Sequence, residues 1–421
     1  MASGPWQKNG SSRGLFLNFI QALRFFWASG VALEQKLGFH RATSASIRVT
    51  SGCLLLPGVV VGVTRRAECG VRMKTVLFHV GMPKCATTTI QSFLTERVEW
   101  LEEQGLCYKR HPDDPTENQG NAAQLAEYAM NGPRARVAEH LDFFLRSEGN
   151  VLLSSEMLFG LGRGNGFEAI QQEVLRRGFD LRVIVYLKRQ DLWIESDYKQ
   201  HVKDGNLWDG EFADLLALRR TKHTLDYHFI LTSWAKQVGR ARMHVVPLNP
   251  SQEEGYAIDS FLGLLGLRRP AGVLGGPRRN ASPSASATEA AREVKRHLIA
   301  SGGSPDEVRQ LIGAFLEAAH EVSPRIKGDS LLSPEARREL LTAYAKSNAA
   351  LSRDFFGGKP AFDDLPEAVP EAWVAPFERV PGVLAGVIAR SLRRVRDEDT
   401  APVQDEGPVS FFARIKTLLN R

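Results

Sequence analysis

A short apolar run at residues 75–78 meets the loop HVGMPKCATTTIQ at residues 79–91, and this junction limits how the chain folds more than any other stretch. Val76, Leu77 and Phe78 in succession read as a buried strand, whereas Ile90, Phe93, Leu94, Val98 and Leu101 recur at helical spacing. The expectation is a strand, a tight turn and then a helix. At such a helix start several backbone N–H groups lack an intrahelical partner and the helix dipole is positive, so an anion placed there is stabilised by both. Gly81 is expected to take a φ that other residues resist, with Pro83 fixing the turn beside Lys84. Lys84 brings a movable ammonium, and Thr87, Thr88 and Thr89 offer hydroxyl donors and an N-cap. This chemistry suits phosphate or sulfate; the plainer alternative is a strand-to-helix turn that is merely rich in Thr.

Spacing narrows the choice. The nucleotide triphosphatase loop requires G-x-x-x-x-G-K-[ST], with Lys directly before the hydroxyl residue. Here Lys84 follows Gly81 by three, Cys85 and Ala86 separate it from the threonines, and no clear strand ending in a magnesium-holding Asp follows. Pro83, Lys84, Cys85, Ala86, Thr87 and Thr88 instead resemble the P-K-x-G-T-T 5′-phosphosulfate loop of sulfotransferases. The departure is Ala86 in place of Gly, which keeps a small side chain for close backbone approach but lacks the ease of glycine at positive φ. The resemblance extends over about residues 73–358. It implies 3′-phosphoadenosine 5′-phosphosulfate (PAPS) as sulfuryl donor, and a P-loop, nucleotide-kinase-like sulfotransferase fold.

A second stretch, VIVYLKRQDLWIESDYKQ at residues 183–200, is again an apolar strand followed by basic residues and a helix, so a second anion site is expected. In the resembled family such a strand ends in a basic residue that grips the nucleotide 3′-phosphate, assisted by a Ser on the next helix. Ser196 is that Ser. The usual spacing of eight selects Lys188, whereas the planar guanidinium of Arg189 is the better chemical match for phosphate; both are carried forward. The competing expectation is that the two basic residues only pair with Asp191 or Glu195.

Between these segments, VLLSSEM at residues 151–157 is an apolar strand that ends in Ser154, Ser155 and Glu156. Ligands of open parallel sheets bind at the carboxyl ends of the strands, which places Glu156 beside both loops. Glu156 is the candidate general base, because sulfuryl transfer to a hydroxyl requires removal of the acceptor proton. The alternative is an orienting carboxylate paired with Lys84, Lys188 or Arg163.

Four short apolar strands separated by helical stretches, the last near residues 243–247 after a turn at Gly239, indicate an α/β, three-layer fold with a parallel sheet flanked by helices. The 421 residues, 43% hydrophobic and 24% charged, suffice for one large domain with extensions. Residues 1–72 carry nine Lys or Arg and two Asp or Glu, a balance of +7 within a net charge of +6, so the remainder is at −1. A nearly neutral core argues against nucleic acid as partner. The basic extension fits a targeting segment, a membrane anchor, or a disordered or mis-assigned start before Met73, the last being preferred. Cys53, Cys69, Cys85 and Cys107 show no metal-ligand pairing and no dense disulfide framework, so a reducing, cytoplasmic setting is expected. Cys85 reads as a small tolerated side chain, although its place at a helix start beside Lys84 favours a lowered thiol pKa.

Residues 270–286 read as a loop or linker, with Arg278, Arg279 and Asn280 as candidates to close over a nucleotide. A helix opened by Ser333 and Pro334 closes the domain near residue 358, leaving residues 359–421 as a tail with short amphipathic helices. Its last run, residues 409–421, suits contact with a membrane surface, and docking on the core or a partner rather better. Taken with the resemblance, these features point to a PAPS-dependent sulfotransferase. It would act without a metal on a hydroxyl acceptor, most plausibly a carbohydrate or glycolipid. A P-loop kinase-type phosphotransferase and a non-catalytic nucleotide-binding relative are the alternatives.

Overall fold

The computed structural model describes residues 73–114, 120–271, 282–324, 329–364 and 373–400. The basic extension at 1–72, the loop residues Arg278, Arg279 and Asn280, and the run at 409–421 lie outside the described residues. The fold is α/β. Five strands, β1 (Thr75–Val80), β2 (Leu106–Cys107), β3 (Asn150–Ser155), β4 (Asp180–Lys188) and β5 (Met243–Leu248), form one sheet in the order β2-β3-β1-β4-β5. All four pairings are parallel. Four of these strands were legible as apolar runs; β2, at two residues, is too short to carry a periodic signal.

Between the strands run α1 (Thr87–Thr95), α2 (Val98–Glu103), α3 (Ala123–Asn131), α4 (Arg134–Leu145), α5 (Glu168–Arg176), α6 (Gln190–Lys203), α7 (Phe212–Thr221) and α8 (Tyr227–Val238). After β5 come α9 (Tyr256–Leu264), α10 (Ala285–Ala300), α11 (Pro305–Val322), α12 (Pro334–Ala343), α13 (Ala345–Phe355) and α14 (Val380–Thr400). Parallel strands joined by helices are covered on both faces, which is why Leu181, Val183, Ile184, Val185, Tyr186 and Leu187 in β4 are almost uninterruptedly apolar and buried. Adjacent residues of β1 serve opposite faces. The Phe78 ring meets Phe167 edge-on at 5.0 Å, and Phe167 in turn meets Trp234 of α8. The His79 ring lies against Tyr186 and against Phe261 of α9.

Local signals set the helix ends. Gly239, at φ 86°, closes α8 before β5, as its position in the sequence suggests. Ser333 caps α12 through the Ala336 N–H, with Pro334 in the first turn. Beyond residue 358 the chain adds α14, whose Val383 and Val387 are buried as it packs across α10 and α11. These late helices also reach back to the site-bearing part of the fold. Lys295 of α10 is fully buried and donates to His201 O (2.7 Å), Asp204 O (2.9 Å) and Asn206 Oδ1 (3.0 Å). Its ammonium thereby serves the orphan carbonyls at the end of α6, even though burial pushes its pKa down to about 8. Among the described residues, no helix is long and apolar enough to cross a membrane.

Candidate functional site

β1 lies in the centre of the sheet, with β3 on one side and β4 on the other. From β1 the chain proceeds toward β2, and from β4 toward β5 on the opposite side, so the crevice between connections opens at the carboxyl ends of β1 and β4. Val80 pairs with Ser155, which puts Glu156, the next residue of β3's chain, directly beside Gly81. Against β4, His79 pairs with Ile184, so β4 runs on past the end of β1 and carries Lys188 up alongside the loop.

The loop turns through two residues of positive φ, Lys84 (66°) and Ala86 (60°), while Cys85 donates its N–H to Met82 O at 3.2 Å. Gly81 is not among the positive-φ residues, contrary to the expectation from sequence. Its glycine is required for space: a Cβ there would lie 1.9 Å from Thr87 Cγ2. Left-handed turns alternating with ordinary ones make successive backbone N–H groups converge on a concavity suited to an anion. The helix N-cap also differs from expectation. It is Ala86, with no side-chain cap, and α1 begins at Thr87. The first N–H groups of α1 are thus left for an external partner.

The three threonines divide their tasks. Thr87 is buried, and its hydroxyl donates to the Glu156 carboxylate, joining the loop to the end of β3. Thr88 and Thr89 are exposed at the helix start. Lys84 donates to the side-chain oxygen of Gln200 on α6. Burial lowers the Lys84 pKa, against the opposing charges of Glu156, Asp204 and Asp197.

Two residues that sequence reasoning missed, Trp193 and Gln200, fasten α6 to the loop. The Trp193 indole donates to Pro83 O at 2.7 Å. Trp193, Ser196 and Gln200 stand at i, i+3 and i+7, so Ser196 shares the face of α6 that meets the loop. That spacing was readable in the sequence, but nothing in it identified the loop as the opposing surface.

The structure separates the two basic candidates at the end of β4. Arg189 is buried and forks onto Asp191, with Nε to Oδ1 at 2.7 Å and Nη2 to Oδ2 at 3.1 Å, and also donates to Asp363 O at 2.8 Å. Arg337 of α12 adds a second guanidinium to Asp191 and donates to Glu195 at 2.7 Å. Burial pushes the Asp191 pKa up, but Arg189 and Arg337 outweigh it and hold the carboxyl below its usual range. For Arg189 the pairing with Asp191 is therefore realised. The Lys188 side chain is half-buried, and among the described residues its ammonium has no hydrogen-bond or ion-pair partner. Its carbonyl accepts from the Tyr227 hydroxyl at 2.7 Å.

Cys85 is fully buried, and burial pushes its thiol up to about 12, with the Lys188 charge opposing. The lowering expected beside a helix start does not occur, because desolvation of the thiolate exceeds what the helix end and the neighbouring ammonium return. Below the loop, His79 is sealed in the core and shares a hydrogen bond of 2.8 Å with Ser154 Oγ, to which Gln91 also donates. Burial pushes its pKa down to about 3, so it is a neutral strut within the central strand.

No protein-family model matches the chain, and no solved structure matches it. A protein of Archaeoglobus fulgidus, described as an uncharacterized protein, is 29% identical over 185 residues, which is 43% of this chain. The chain spans about half of that relative, 47% of its length.

Two outcomes follow from the loop geometry. Ala86 holds a conformation that costs an L-residue about 1 kcal/mol, so Ala86→Gly is expected to stabilise the fold by up to ~1 kcal/mol in urea unfolding. Trp193→Phe keeps an aromatic ring of smaller size but removes the donor to the Pro83 carbonyl, a loss of about 1–2 kcal/mol. Its signature should be faster amide exchange in residues 81–86 than elsewhere.

Proposed function

We propose that this chain is a PAPS-dependent sulfotransferase, transferring a sulfuryl group to a hydroxyl acceptor on a carbohydrate or glycolipid. The observation that carries the reading is the convergence of Lys84, the free start of α1 and Glu156 at the end of β3, with Lys188, unpaired among the described residues, beside them. The donor set fits an anionic nucleotide. It offers backbone N–H groups, two ammonium groups, exposed Thr88 and Thr89 hydroxyls and Ser196.

In this reading the 5′-phosphosulfate lies against the 81–89 loop, held by Gly81, Pro83, Cys85 and Ala86 through backbone and shape, and by Thr87, Thr88 and Thr89 at the helix start. Lys84 has three donors, of which Gln200 takes one. The others are available to the oxygen that bridges sulfur to the leaving phosphate, where negative charge grows. Glu156 accepts the Thr87 hydroxyl on one carboxylate oxygen and leaves the other for the acceptor proton. The acceptor oxygen then bonds to sulfur as the bond from sulfur to the phosphate oxygen breaks, giving a sulfate ester and 3′-phosphoadenosine 5′-phosphate. Lys188 with Ser196 grips the 3′-phosphate. Arg189, committed to Asp191 and to the Asp363 carbonyl, braces the strand end from behind. Cationic side chains and backbone dipoles supply the positive field without need of a metal.

Incubation of the purified chain with sulfur-labelled PAPS and a cell extract tests the reading. A labelled glycan or glycolipid product is expected, together with calorimetric binding of 3′-phosphoadenosine 5′-phosphate. Absence of both overturns it. Turnover of ATP that requires magnesium would assign the site to phosphoryl transfer instead.

A further inference from the structure

Away from this crevice, three side chains converge that the proposed reaction does not use. His111 and Asp113 stand on the turn after β2, and His140 on α4; one ligand atom from each lies within 4.8 Å of the others. The turn is fixed. Asp114 donates its N–H to His111 O (3.0 Å), while its carboxylate accepts from the His111 N–H (3.3 Å) and the Gln124 N–H (3.0 Å). His140 is the unexplained member. It is 2% exposed, and both its ring nitrogens are buried with no hydrogen-bond partner among the described residues. Buried polar side chains are nearly always satisfied, and an imidazole with neither nitrogen paired is a site with a missing partner. The His111 ring lies over it at 3.9 Å, tilted by 34°, within a cage that includes Phe143, Phe144 and Tyr128.

We propose that His111, Asp113 and His140 bind a divalent ion of the zinc class. Two imidazoles and a carboxylate form a nitrogen- and oxygen-donor set without sulfur, suited to zinc and its late first-row neighbours rather than to calcium or magnesium, which prefer oxygen. Zinc holds its nitrogen and oxygen ligands at about 2.0–2.2 Å, so the three donors must draw closer than their present spacing. The more exposed members have room for this: the Asp113 side chain is 53% exposed and that of His111 16%, while His140 is enclosed by packing. Nδ1 of His111 already faces the Asp113 carboxylate at 3.7 Å and accepts the Asp113 N–H at 3.1 Å. The ion takes that lone pair, and the exposed N–H turns to water. The open side at Asp113 leaves a fourth position for water. Bound there, the ion clamps the turn after β2 onto α4. The site stands whether or not the crevice transfers sulfuryl groups.

The test is titration of the full chain, stripped with a chelator, with zinc by calorimetry and with cobalt by visible absorption. One ion per chain is expected at micromolar affinity or tighter, with the intense visible bands of four-coordinate cobalt and a Tm that rises with zinc concentration. Asp113→Asn, an exposed change that leaves packing alone, should weaken binding at least tenfold. His140→Phe should abolish it while retaining a ring in the aromatic cage. If His140→Phe does not fold, His111→Gln takes its place. The proposal is overturned if the chain binds no ion, or if the affinity is unchanged in Asp113→Asn and in the histidine variant.

Discussion

Lys84→Met is expected to lower sulfuryl transfer by about 10²–10³-fold, the scale on which removal of one charge-stabilising donor acts on a transition state. The fold should tolerate the change. Methionine retains most of the stem, and the ammonium that is lost is one that burial disfavours, as its lowered pKa states. The sign of the pH dependence follows. Between the lowered pKa in the folded chain and the ordinary lysine value of 10.5, the unfolded chain binds more protons, so Lys84 makes stability rise with pH across that window. Below the window the ammonium carries its full burial cost. Lys84→Met should therefore leave Tm at neutral pH unchanged or slightly raised, and flatten the rise at alkaline pH. Affinity for 3′-phosphoadenosine 5′-phosphate should fall in the native chain as pH rises through the same window, because the anion loses its ammonium. Single-turnover transfer with labelled donor, calorimetry with the product nucleotide and Tm against pH separate these effects. A variant that transfers at the native rate removes Lys84 from the chemistry.

What the sequence revealed of this site was its local part. Strand, loop and helix at residues 75–95 are contiguous, and apolar spacing with Gly, Pro, Lys and Thr chemistry carries that information within a few turns of chain. The end of β3 at Glu156 was likewise legible, because an apolar run stopped at a carboxylate. What could not be read was the set of partners that decides how each residue is used. Gln200, which accepts a hydrogen bond from Lys84, lies 116 residues away, and Trp193 lies 110 residues from Pro83. Lys188 and Arg189 are adjacent in sequence and equally basic. Their separation rests on the Asp363 carbonyl, 174 residues downstream, and on Arg337 from α12. Backbone strain was equally hidden. The positive φ sits on Lys84 and Ala86, residues whose type argues against it, and is held there by the packing of Thr87 against Gly81 and of Trp193 on Pro83. Cys85 is the converse case. Its place at a helix start favoured a lowered thiol pKa, and full burial raises it instead, in keeping with the small tolerated side chain that was the preferred reading.

Glu156→Gln should reduce transfer by about 10²–10⁴-fold, the usual contribution of a positioned general base, while affinity for 3′-phosphoadenosine 5′-phosphate stays close to that of the native chain. The substitution is nearly isosteric, and the glutamine side-chain oxygen still accepts the Thr87 hydroxyl, so the junction of loop and strand end is preserved. What disappears is the second oxygen's ability to take a proton. A side effect is predictable in direction: Glu156 is the strongest of the charges that raise the Lys84 pKa, so its neutralisation lowers that pKa further. The pH at which nucleotide affinity declines should consequently move to lower values in Glu156→Gln, a shift that a purely structural carboxylate at a distance from Lys84 would not produce. Transfer and nucleotide affinity measured across pH thus give two independent readouts. Loss of transfer with the affinity profile displaced supports Glu156 as the base beside Lys84. Retention of transfer with the same displacement leaves it an orienting neighbour of Lys84 and assigns proton removal to another group or to the acceptor.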